Sequence, residues 1–219
     1  MLGGTLMRKR IILTSLVVLA AFLIYRSCKV VPLSSIKASF DPKAYAHTVV
    51  WPKLQSQLAD LKKADAYEVL EAFDTNPEEA HEKFAKTVGV SNYRYYIVEG
   101  SGQIVSVDED GILVQVRPDS EKPEFYITSR VFGNTIVMAT GIIKMEDFDR
   151  IMDFNLVSTA LNQIVRDEVA LPIMSSLKDR NVQGAVVRFL GLFNVLRDDP
   201  IKYPINVIPL RLELIQGGY

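Results

Sequence analysis

The sequence predicts an α+β protein: an N-terminal signal or anchor helix, a helical segment, then a small β-barrel of OB type with the order β-β-β-α-β-β. Three observations predict it. The first 27 residues carry four cations and no acid around a fifteen-residue apolar run. Helix starts led by a capping residue and proline recur at Asp41-Pro42 and Asn76-Pro77. From Tyr93 onward, runs rich in β-branched and aromatic residues surround a single long helical pattern, placed between the third and fourth strands.

The N-terminal element comes first. Arg8, Lys9 and Arg10 precede Ile11 to Tyr25, an apolar stretch interrupted only by Thr14 and Ser15. A positive n-region ahead of 7–15 apolar residues is the form of a secretory signal. At about 1.5 Å per residue the run reaches roughly 22 Å, short of the ~30 Å hydrocarbon core, which favours a signal over a full span. A slightly short anchor, with Arg26 and Lys29 reaching outward, is the alternative. The basic cluster keeps the N-terminus cytoplasmic and sends the remainder across the membrane. Met1 and Met7, the latter directly before the cluster, both stand as starts. Cys28 is the only thiol and lies just past the apolar run. Ser27 before it is small, as lipoprotein cleavage requires, whereas Tyr25 and Arg26 suit the preceding positions poorly. Two outcomes stay open: a lipidated Cys28, or an uncleaved anchor with a free thiol. Residues 1–27 are thus read as signal or anchor, 28–40 as tether, 41–90 as a helical segment and 91–219 as the barrel.

Asp41 caps a helix expected from Pro42 to about Ala64, kinked where Pro52 lacks its N–H. Tyr45, Val49, Leu54, Leu58 and Leu61 form its apolar stripe. Asp65 caps a second helix through Phe73, and Asn76 a third ending near Gly89, with Glu78 and Glu79 in its first turn. Tyr93 to Val107 reads as a long strand bent at Gly100 and Gly102. Asp108 to Gly111 is a hairpin turn, Ile112 to Arg117 the returning strand, and Glu124 to Phe132 the third, with Thr135 to Ile143 extending or following it. Acids from Asp147 to Asp153 lead into a helix over about Asn155 to Leu177, which Pro172 bends or divides. Ala185 to Leu196 and Ile205 to Ile215 are the last two strands.

Composition excludes more than it selects. Lys plus Arg number 25 and Asp plus Glu 26, and setting aside the four leader cations leaves a charge of −5. An acidic exported domain gives no reason to expect nucleic acid as a partner. One cysteine rules out an internal disulfide and a thiolate zinc cluster. Ser106 to Gly111 imitates part of a calcium loop, but Ser106 and Arg117 occupy its first and twelfth positions, where a stronger ligand and a bidentate Glu belong, so a plain hairpin is expected. His47 and His81 lie on different helices and read as surface or packing residues. No Gly-x-Ser-x-Gly occurs, and Gly100-Ser101-Gly102 lacks the Gly-Lys-Ser/Thr of a phosphate loop. Glu146, Asp147, Asp149 and Asp153 offer paired carboxylates for an envelope hydrolase, yet acids at a helix start are more simply dipole partners. No catalytic residue, metal or cofactor is therefore expected. Arg130, Arg150, Asn155, Asn162 and Arg166, near the strand–helix junction, are the candidate ligand-binding residues.

Cys28-Lys29-Val30-Val31-Pro32, Phe40-Asp41-Pro42-Lys43-Ala44-Tyr45 and the nearby Trp51 resemble the start of DUF2291 proteins. Gly100 to Asp108 followed by Gly111-Ile112-Leu113-Val114 resembles that family's central hairpin, and Phe148, Asp153-Phe154-Asn155 and Ala160-Leu161-Asn162 its strand-to-helix stretch. The resemblance implies a periplasmic lipoprotein of unknown activity, often encoded beside sugar ABC transporters, including ribose-type systems. It supplies no catalytic residues. The expected function is a non-enzymatic, membrane-tethered accessory on the extracytoplasmic face of the inner membrane, partnering transporter subunits or a solute-binding protein. The alternative is a module that binds or senses a sugar.

Overall fold

The computed structural model describes residues 14–19, 22–23, 40–178, 182 and 185–215. The chain divides into two compact units, Met1–Phe40 and Asp41–Tyr219. In the first, residues 14–19 and 22–23 are helical. The rest of the expected leader, Cys28 and almost all of the tether lie outside the described residues.

The second unit opens with helix α1, built from Pro42–Tyr45, a widened turn at Ala46–Val50, and Trp51–Gln57. Asp41 caps it, its Oδ1 accepting from Lys43 N at 3.0 Å and Ala44 N at 3.1 Å. The helix stops at Gln57, short of the expected Ala64. Its buried stripe is Ala46, Val50, Leu54 and Leu58, and Val49 faces solvent. The widened turn holds an extra residue, which moves the phase by one and brings Val50, not Val49, to the core. Pro52 has no N–H to close a normal turn, and the widening carries the helix past it.

Two short helices follow, α2 (Ala66–Thr75) and α3 (Pro77–Phe84), capped by Asp65 and Asn76 as their spacing predicts. Before and after them, β1 (Ala64–Asp65) and β2 (Lys86–Thr87) are minor strands added to the edge of the first long one. That strand is β3 (Tyr93–Val107), followed by β4 (Gly111–Gln115) and β5 (Phe125–Thr128).

The stretch expected to extend or follow the third strand is instead a helix, α4 (Thr135–Thr140). Gly141, at φ +71°, ends it in the left-handed conformation, and its N–H donates to Val137 O at 2.8 Å. The β-branched residues carry little helix propensity, but burial of Ile136, Val137 and Ala139 outweighs that small preference. Helix α5 then runs through Ile151–Ile164, a second widened turn at Val165–Ala170, and Leu171–Leu177. Here too the widening lies just before a proline, Pro172. The indole Nε1 of Trp51 donates to Glu168 Oε2 at 2.7 Å, joining α1 just past its widened turn to the widened turn of α5.

Strands β6 (Val186–Leu196) and β7 (Ile205–Ile215) complete the sheet. β3 pairs antiparallel with β6 from Tyr93↔Leu196 to Gln103↔Val186, then with β4 from Gln103↔Gln115 to Val107↔Ile112. With β4–β5 and β6–β7 antiparallel and β5–β7 parallel, the ring β3-β4-β5-β7-β6 closes on itself. Gly102 sits where β3 changes partner, and a Cβ there would lie 2.6 Å from the Gln115 carbonyl oxygen. Only glycine allows the backbones that close an approach.

The barrel is filled. Tyr96, Phe125, Phe189 and Phe193 lie within it, the Tyr96 and Phe193 rings stacked at 4.7 Å. α2 and the last turns of α5 pack into this core. A second core lies on the outer faces of β3, β6 and β7, where Tyr95, Leu190, Leu192 and Leu210 meet α1, α4 and the first half of α5. Those strands are buried on both sides, hence the nearly unbroken apolar run of β6. A polar network ties α2 to the barrel. The Arg117 guanidinium donates from Nη1 to Asp74 Oδ2 at 2.6 Å and from Nε to Glu124 Oε1 at 3.0 Å. Val116 N donates to Glu124 Oε2 at 2.9 Å and the Tyr203 hydroxyl to Asp74 Oδ1 at 2.9 Å.

Candidate functional site

With the interior packed, open space lies at the rim. A cavity of about 440 Å³ is bounded by the β3–β4 turn, the segment after β5 and the exposed edge of α5. The turn is fixed by its own hydrogen bonds. Asp108 Oδ1 accepts from Asp110 N and Gly111 N, both at 2.8 Å, and from the Tyr126 hydroxyl at 2.7 Å. The Tyr126 bond and the two backbone N–H groups hold the Asp108 carboxyl below its usual range. This is the stretch that imitates a calcium loop, and its acid is occupied in making the turn. The Asp110 carbonyl then accepts from Ser129 N at 2.7 Å and Ser129 Oγ at 3.0 Å, which ties the turn to the end of β5.

Three of the five candidate residues line this cavity: Arg130, Asn162 and Arg166. Arg130 is two-thirds exposed, and its Nη2 lies 2.5 Å from Asp110 Oδ2, a pairing that raises the guanidinium pKa further. Asn162 is 5% exposed. Its Nδ2 donates to Gly133 O at 2.8 Å, beside Ser158 Oγ at 3.3 Å, and its Oδ1 is buried with no partner. Arg166 is exposed, 3.9 Å from Asp167 Oδ1. The other two candidates are placed elsewhere. Arg150 grips Asp153 through Nε at 2.9 Å and Nη2 at 2.7 Å, and Asn155 Oδ1 accepts from Asn134 Nδ2 at 3.3 Å. The sequence reading did not name Asp110, Phe132 or Gln163 for this wall. Gln163 and Thr159 share an exposed edge of α5 with Arg166, a spacing that points to them once the helix phase is known. A neighbouring cavity of about 450 Å³ shares Asp110, Arg130 and Phe132.

Of the remaining chemical candidates, Asp147, Asp153 and both histidines have partners within the fold. Asp147 Oδ2 accepts from Lys144 N at 2.8 Å, and Asp153 is buried against Arg150. His47 is exposed, 3.8 Å from Glu168 Oε1. His81 is buried, its Nδ1 hydrogen-bonded to the Tyr96 hydroxyl, and burial, helped by Arg94, lowers its pKa. Among the described residues, no group of three His, Cys, Asp or Glu side chains could hold a metal.

The order of elements, the closed ring and the helix joining the third and fourth barrel strands define an OB fold. A family model described as a predicted periplasmic lipoprotein, DUF2291, matches residues 18–213. The chain is a DUF2291 protein. This DUF2291 chain is similar to an OB-fold protein from Thermotoga maritima known by crystal structure, at 53% sequence identity and a TM-score of 0.76. The similarity covers 81% of this chain and 99% of that one. No curated protein matches. The description of DUF2291 is consistent with a location in the cell envelope. Among the described residues, no helix is long and apolar enough to cross a membrane.

Proposed function

We propose that this DUF2291 protein is a non-enzymatic accessory to sugar import. It is tethered to the extracytoplasmic face of the inner membrane by a lipid on Cys28 or by its uncleaved leader. It assists an ABC transporter or its solute-binding protein by binding rather than by chemistry. The observation that carries this reading is the rim cavity at Arg130, Asn162 and Arg166, a polar recognition surface on a barrel whose interior is full. The leader pattern and the resemblance to proteins encoded beside sugar transporters supply the setting. A module that binds or senses a sugar on its own is the second reading, favoured by the same cavity. A hydrolase using Asp147 to Asp153 has less support, because Asp153 is held by Arg150 and Asp147 closes a backbone turn.

Capture of the tethered protein from membranes in mild detergent should recover transporter subunits or their binding protein. A clean negative, together with unimpaired growth of a deletion strain on sugars, overturns the accessory reading. Mass spectrometry of the mature N-terminus distinguishes a lipidated Cys28 from an intact leader.

A further inference from the structure

Resting on the reading of the rim cavity as a recognition site, we infer that it takes an uncharged, polyhydroxylated ligand. We further infer that Asn162 turns its Oδ1, sealed and without a partner here, onto one ligand hydroxyl when the cavity fills. Two observations carry this. The first is charge balance. Two guanidiniums, Arg130 and Arg166, face two carboxylates, Glu109 and Asp110, in the same wall. Arg130 and Asp110 are already paired at 2.5 Å. A phosphate or carboxylate ligand gains little from cations that neighbouring acids already offset, and it meets those acids at close range. Hydroxyl groups suit such a wall, because each both donates to a carboxylate and accepts from a guanidinium.

The second observation is the orphaned acceptor. Asn162 cannot satisfy itself by exchanging its amide atoms, since its Nδ2 is needed at the Gly133 carbonyl. Buried polar atoms are nearly always paired, and one that is not calls for a donor. Gln163, one residue on along the same helix, adds a second planar amide to the wall, and the exposed Phe132 ring supplies an apolar face for the ligand's C–H side. At about 440 Å³ the cavity falls within the size range of small-molecule sites.

Titration calorimetry of the full chain in detergent tests the inference. The neutral probes are D-ribose, D-galactose, D-glucose and myo-inositol; the charged ones are D-galacturonate and D-ribose 5-phosphate. At least one neutral probe should bind, at least tenfold tighter than either charged probe and with little dependence on added salt. Asn162→Leu and the exposed Arg166→Gln should each weaken it tenfold or more. A deoxy analogue lacking the selected hydroxyl should lose affinity for the wild type but not for Asn162→Leu, because only the wild type leaves an acceptor unpaired. Tighter binding of a charged probe overturns the inference and leaves the cavity as a binding site. Binding unchanged in both variants overturns the cavity reading as well. No binding by any neutral probe, with transporter capture intact, overturns the inference and leaves the accessory role standing.

Discussion

Beside α2, the Arg117 guanidinium is enclosed by two carboxylates whose four oxygens all accept hydrogen bonds. At the rim, Arg130 meets one carboxylate, and the nearby Asn162 keeps a buried oxygen that accepts nothing. Both clusters begin with an arginine at or beyond the end of a barrel strand. The difference between them is completeness. A polar group whose partners all come from the chain serves the fold, since removing any of them leaves a buried charge or dipole exposed to an apolar surrounding. A group left buried without a partner costs the fold its desolvation, a cost that a donor from outside would relieve.

The sharpest way to break this comparison is Glu124→Ala. Glu124 is 1% exposed, and losing one partner of a buried ion pair costs about 3 kcal/mol or more, which urea unfolding should register in full. A loss under about 1 kcal/mol would mean the Arg117 network is as dispensable as the rim. Next in size is pH. Burial alone would raise Asp74, but Arg117 and the Tyr203 hydroxyl outweigh it and hold its carboxyl low. That contribution is present above the usual carboxylate value and fades as pH falls through the lowered folded value. His81 acts earlier. Its folded pKa is lowered, so its contribution is complete above about 6.5 and is lost as pH drops below that towards the folded value. Denaturant midpoints between pH 7 and 5 should therefore decline, and His81→Phe should flatten the decline. If the slope persists in that variant, another group causes it.

The rim should respond differently. Asn162→Leu loses the bond to Gly133 O but also removes an unpaired oxygen whose burial costs about 1–3 kcal/mol, so stability should move by no more than about 1 kcal/mol. Smallest of all is Arg130→Gln. An exposed pair of this kind is screened by solvent and contributes little, and thermal unfolding should barely change. A large loss at either rim residue would make the two clusters alike and remove the ground for treating the rim as a site.

Much of the architecture could be read from local chemistry. The caps at Asp41, Asp65 and Asn76 stand where their spacing puts them, and β3 spans Tyr93–Val107 as its composition indicates. Closure of the ring could not be read, because pairing between β3 and β6 joins residues about a hundred positions apart. α4 was hidden because its residues prefer strand and only the core they enter makes them helical. At the site, polarity near the strand–helix junction pointed to the right neighbourhood, but height along the helix did not follow from it. Asn155 shares a face with Asn162 yet lies two turns, roughly 10 Å, along the axis, where it meets Asn134. Arg150 precedes the helix and is drawn to Asp153. Asp110 was visible only as part of an imitation calcium loop, and its place in the wall depends on the bond from Ser129 across the barrel's edge.

The hydrogen bond between Trp51 and Glu168 also describes a line of force. α1 is the first element after Asp41, and Trp51 stands just past its widened turn. Glu168 lies two residues beyond Arg166, inside the widened turn of α5. A pull at Asp41 therefore has a route to the cavity wall through α1, the apolar core it shares with α5 and the Trp51 indole.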